Sequence, residues 1–159
     1  MRFILFILLV CLSHFCLAHE GHQAFYKLTE ENGQTILLVK MELPDIQTCL
    51  QTEQLCSGSQ ELNWCAATWV NNLVSIQVDG NVIDEEYESS YTESGHLVLR
   101  FSLVGLPESF KSLEVINLCF LGSFESYDNI FQVSLKGHNQ GYKMNEKRTS
   151  IKIDFSNRS

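Results

Sequence analysis

Basic residues are scarce in this chain. Eleven lysines and arginines stand against nineteen aspartates and glutamates in 159 residues, a formal net charge of −8. Nucleic-acid binders draw affinity from cations that neutralise phosphates, and polybasic membrane-surface proteins need the same excess, so the sequence fits neither class. Proline is nearly absent, with two residues, and there is no linker, repeat or low-complexity tract. With 45% hydrophobic and 19% charged residues the chain is too apolar for intrinsic disorder. Long apolar runs are also missing. The longest, Phe3 to Leu12, falls well short of the ~20 residues that a spanning helix needs. The familiar catalytic signatures do not occur: no G-x-S-x-G elbow, no glycine-rich phosphate loop before a helix, no H-E-x-x-H and no EF-hand loop. A non-enzymatic protein is the expectation.

What is present begins with export. Met1-Arg2, the apolar run and the small residues Cys16 and Ala18 form the three parts of a signal peptide over residues 1–18. Cleavage after Ala18 leaves a single domain, 19–159, that is periplasmic or secreted and does not span the membrane. Loss of Arg2 takes the net charge to −9. Four cysteines remain, Cys49, Cys56, Cys65 and Cys119. An even number in an oxidising compartment reads as one or two disulfides, with Cys56–Cys65 and Cys49–Cys119 both plausible pairings. Zinc would want paired C-x2-C spacing, which these residues lack.

Along the mature chain the pattern is mainly β. Ala24–Leu28 and Thr35–Leu43 flank the Asn32-Gly33 hairpin signal. Between about 45 and 72 the period changes. Leu62, Cys65, Ala66, Trp69, Val70 and Leu73 share one helical face, with Ser59 as the expected N-cap and a shorter helix before it. Period two then returns at Val74–Val78, Leu97–Leu103, Phe131–Leu135 and Ile151–Phe155, with a continuous apolar run at Leu113–Phe120. The acidic stretch Asp84-Glu85-Glu86 reads as a solvated hairpin face, and Lys136–Gly141 as a loop. About seven short strands spaced by turns predict an antiparallel, Ig-like β-sandwich with a helical insertion at about 45–72.

The new N-terminus carries the one feature with inherent chemistry. His19 would offer an α-amine and an imidazole to the same metal ion, His22 a second imidazole and Glu20 a carboxylate. Amine and imidazole together form a chelate that suits copper(II) geometry, and nitrogen donors suit copper, nickel and zinc generally. His96 and His138 are candidates to complete the site. No organic cofactor is expected.

Two resemblances follow from these residues. The succession of two strands, Leu43-Pro44-Asp45-Ile46, a helix with Trp69, Val74–Gly80, Leu113–Leu118 and Asp128–Val133 resembles a family of small exported bacterial proteins of unknown function. That likeness implies a periplasmic sandwich-like domain. An exported sandwich beginning with histidine is also similar to periplasmic copper-resistance carrier domains, and through His19 and His22 this implies copper binding. The expected function is therefore an exported binding or accessory domain with a protein or metal partner. Copper carriage is one specific form of it, and a lipid or small-ligand site between splayed sheets is another.

Overall fold

The computed structural model describes residues 22–56 and 61–156. The signal peptide, His19, Glu20 and Ser59 lie outside the described residues. Nine strands run β1 (Gln23–Glu31), β2 (Gln34–Glu42), β3 (Val74–Val78), β4 (Asn81–Glu93), β5 (His96–Val104), β6 (Ser112–Asn117), β7 (Asp128–Leu135), β8 (His138–Met144) and β9 (Ser150–Asp154). Two helices, α1 (Leu43–Thr52) and α2 (Leu62–Leu73), fall between β2 and β3.

The predicted two-sheet sandwich is wrong. All nine strands belong to one sheet, in the order β8-β7-β1-β2-β5-β4-β3-β6-β9, wound into a nearly closed barrel. Strand alternation could not separate the two, because a barrel and a sandwich both bury one face of each strand. Two pairings decide it. β1 lies between β2 (antiparallel) and β7 (parallel, Phe25 beside Ile130), which joins the first hairpin to the C-terminal third. β4 is thirteen residues long. It pairs with β3 through Ile83 and Ile76 and with β5 from Asp84 onward, carrying the sheet without a break across the place where a sandwich would divide. A β-bulge between Tyr87 and Ser89 lets it bend there.

Local chemistry explains the pieces. Asn32 and Gly33, with φ of 53° and 79°, form the tight turn between β1 and β2, a conformation that glycine accepts without steric cost. α1 starts with Pro44 in its first turn, where the missing N–H costs nothing. The N-cap of α2 is Glu61, without a side-chain capping bond. Inward-facing Tyr26, Leu28, Val39, Leu99, Phe101, Phe131 and Val133 fill the barrel, and Tyr26 stacks on Phe131 at 5.6 Å. The helices and residues 118–127 cover one end of it. There Trp69 meets Phe120 edge-on at 4.8 Å, and Phe120 stacks on Tyr127 at 4.1 Å.

A disulfide joins Cys56 to Cys65, tying the exit of α1 to α2. The other proposed pair is not bonded; Cys49 and Cys119 are buried thiols. Among the described residues no helix is long and apolar enough to cross a membrane.

Candidate functional site

The capped end of the barrel gathers the start of β1, the first turn of α1 and the segment leading into β7. His22 precedes β1 directly, and its carbonyl accepts the backbone N–H of Asp128 (3.1 Å). Asp45, in the first turn of α1, is placed where the positive end of the helix dipole favours an anion. The Nδ1–H of His22 donates to its carboxylate, with Nδ1 at 3.0 and 3.1 Å from the two oxygens. The His22 ring also lies on Phe124, with centroids 4.6 Å apart. Backbone, ring nitrogen and ring face are thus all fixed, although half the side chain is open to solvent (50% exposed, against 6% for Asp45).

A carboxylate can only accept, so Nδ1 carries a proton, and in the neutral tautomer that this leaves the lone pair lies on Nε2. That atom has no hydrogen-bond partner among the described residues. A carboxylate holding one imidazole nitrogen while the other stays available is the arrangement in which histidine serves as an oriented metal ligand.

Beneath this pair the interior is polar. The Tyr127 hydroxyl faces Asp45 without a well-formed hydrogen bond, and burial, reinforced by the Asp45 charge, pushes its pKa far above the usual phenol range. Asn117 Oδ1 accepts the N–H of Cys119 (3.0 Å), and Asn129 Nδ2 donates to the Cys119 carbonyl (2.8 Å), which fixes the chain as it leaves β6. The Tyr26 hydroxyl is buried in the same region beside the Cys119 thiol and the Asn117 side chain, without a well-formed hydrogen bond to either. Burial raises the pKa of Tyr26 and Cys49 and pushes that of Cys119 up to about 12. These shifts run opposite to the activation of a nucleophile, which needs a stabilised anion.

The histidines predicted from sequence do not all converge. His96 opens β5 on the same rim but binds the Ser94 carbonyl through Nδ1 (3.0 Å). His138, at the start of β8, lies at the opposite end of the barrel, buried beside Tyr142. Among the described residues no three histidine, cysteine or acidic side chains are grouped as a ready-made metal site. Asp45 was not recognised as a functional residue from sequence. Its only signal was an acid directly after Pro44 at a helix start.

A second titratable group lies apart from this rim. Glu85 faces inward where β4 parts from β3, half-buried, with one carboxylate oxygen lacking a partner. Burial raises its pKa from 4.5 to about 7, against a smaller opposing effect of the Ile76 and Glu85 backbone N–H groups.

Comparison of the whole chain with known protein families finds no family model that matches, and a search of curated proteins finds no matching relative.

Proposed function

We propose that this chain is an exported, non-enzymatic binding domain whose N-terminal rim takes up a transition-metal ion, copper(II) by its ligand chemistry. The observation that carries the reading is the His22–Asp45 pair. Asp45 holds Nδ1 and the ring rests on Phe124, so Nε2 is presented in a fixed direction three residues after His19. With cleavage after Ala18, the amine and imidazole of His19 form a chelate and His22 supplies a third nitrogen, a donor set that suits copper(II). Asp45 acts through His22 and touches no metal itself. The raised pKa values of the buried thiols and phenols support a binding role over catalysis. A lipid or small ligand between two splayed sheets loses its basis, because there is one wound sheet with a filled interior.

The test is copper(II) titration of the processed protein against a competing chelator, beside His19→Ala, His22→Ala and Asp45→Asn. Removing His22 weakens binding at least tenfold, and Asp45→Asn weakens it by about 10-fold or more, as expected of a partner that orients a ligand. Equal affinity in wild type and His22→Ala, or a processed chain that does not start at His19, overturns the proposal.

A further inference from the structure

At the barrel mouth opposite the helices, four strands reach their last inward-facing position. On β1 and β2 the buried inward residues Leu28 and Leu37 are partners, and the next inward pair is Glu30 and Thr35. β5 ends inward at Leu103 and β7 at Leu135, both buried. The loop 105–111 folds across this end and sets Phe110 against Phe155, edge-on at 5.2 Å. Glu30, Thr35, Leu103, Phe110 and Leu135 line a hollow of about 350 Å³ there. Barrel mouths are a common place for small-molecule sites, and this volume falls at the low end of their ~300–1,000 Å³ range.

A carboxylate stands where strand alternation calls for an apolar residue. Ala24, Tyr26 and Leu28 precede Glu30 on the inward face of β1. Among the described residues the Glu30 side chain has neither an ion pair nor a hydrogen bond. Thr35 beside it is nine-tenths buried (9% exposed), and its hydroxyl has no hydrogen-bond partner among the described residues. Buried hydroxyls are normally paired, so this one depends on what enters the hollow. Glu108, exposed on the loop, brings a second carboxylate to the lining. The lysine in the lining, Lys136, is already engaged. Its ammonium donates to the Glu108 carbonyl (2.6 Å) and lies 4.1 Å from the centre of the Phe110 ring. It pins the loop and leaves both carboxylates without a cation.

We propose that this mouth binds a small organic cation, a primary amine on an apolar body. Glu30 and Glu108 at the rim receive the ammonium in charge-assisted hydrogen bonds, and the Thr35 hydroxyl accepts one more. The apolar body packs on Leu103, Leu135 and Phe110, which removes its surface from water. The protein's net charge of −8 draws such a ligand in. Polarity sets its orientation, with carboxylates at the rim and apolar side chains at the floor. A lysine side chain of another protein would enter ammonium first and meet that floor, so a free amine is the fitting ligand. The site lies at the other end of the barrel from His22 and Asp45 and does not rest on metal binding.

The probe is phenethylammonium, titrated at neutral pH into isotope-labelled processed protein and followed by amide NMR shifts. Saturable shifts are expected at Thr35, Leu103, Phe110 and Leu135. Phenylpropionate and phenylethanol, of similar size but anionic or neutral, should bind about tenfold more weakly or worse, as should N-acetyl-lysine amide. Glu30→Gln, an isosteric change at an exposed residue, should weaken the amine about tenfold with the circular dichroism spectrum unchanged. Thr35→Val should weaken it about threefold. Absence of saturable binding, or shifts confined to the helical end of the barrel, overturns the proposal. So does equal binding of phenylethanol or the lysine amide, tighter binding of phenylpropionate, or unchanged affinity in Glu30→Gln.

Discussion

Replacing both disulfide cysteines by serine, Cys56→Ser with Cys65→Ser, tests the cap of the barrel directly. The bond closes a loop with a sequence separation of nine. Loop-closure entropy for that length predicts a loss of about 2.6 kcal/mol at 25 °C. The loss should appear in global stability, because α2 is not peripheral: Cys65, Ala66, Trp69 and Val70 are all within the core. In a domain of this size it lowers Tm by roughly 5–10 °C. Urea unfolding followed by tryptophan fluorescence reads it well, since Trp69 is buried against Phe120 while Trp64 is exposed. The midpoint should fall with the m-value unchanged. Reduction of the wild type supplies the control. Cys49 and Cys119 are already thiols, so reduced wild type and the double variant should unfold together. A loss below about 1 kcal/mol would show that helix packing alone holds the cap and would refute the entropic reasoning. A further drop when the double variant is reduced would reveal a bond between Cys49 and Cys119.

Two other perturbations follow from the interior. The folded-state pKa of Glu85 is raised to about 7 from 4.5, so the folded protein holds a proton that the unfolded chain has released between those values. Stability therefore falls as pH rises from about 4.5 to 7 and levels off above; the full shift corresponds to about 3 kcal/mol, reduced to about 1–2 by partial exposure. Glu85→Gln should remove this dependence and be the more stable protein at pH 8 with little difference at pH 4, whereas parallel pH profiles would refute it. Tyr26→Phe deletes a buried hydroxyl that lies beside Cys119 and Asn117 without a well-formed hydrogen bond. It should leave stability unchanged or raise it by up to about 1 kcal/mol, and a loss above 1 kcal/mol in urea unfolding would show that the hydroxyl is paired.

The β character, the turns and the helical interruption are legible because each rests on local periodicity or turn chemistry. Asn32-Gly33 is the clearest case: the dipeptide specifies its own backbone. Two strands escape the same reading. β4 carries polar residues on both faces over most of its length, and β8 reads His-Asn-Gln-Gly-Tyr-Lys-Met, so neither shows alternation. Their pairing comes from neighbouring strands, which supply the other half of each ladder. The barrel escapes too, since β1 beside β7 joins residues about a hundred positions apart and leaves no local trace. At the rim His22 is visible as a metal-ligating residue type, while its partner Asp45, twenty-three residues on, is visible only once α1 is docked.

The position of β1 between β2 and β7 also bears on how this chain acquires its structure. The N-terminal hairpin can form early, but one edge of β1 stays bare until Asp128–Leu135 arrives, and the barrel cannot be completed before then. Contacts so distant in sequence make for slow folding and a prolonged stage with an exposed strand edge. Under the export proposed above, that slowness is useful: the emerging N-terminal half lacks its final partner and stays open to threading. The same delay makes the bare edge of β1 a hazard once the chain is released. Crowded refolding should therefore lose more material to aggregation than dilute refolding does.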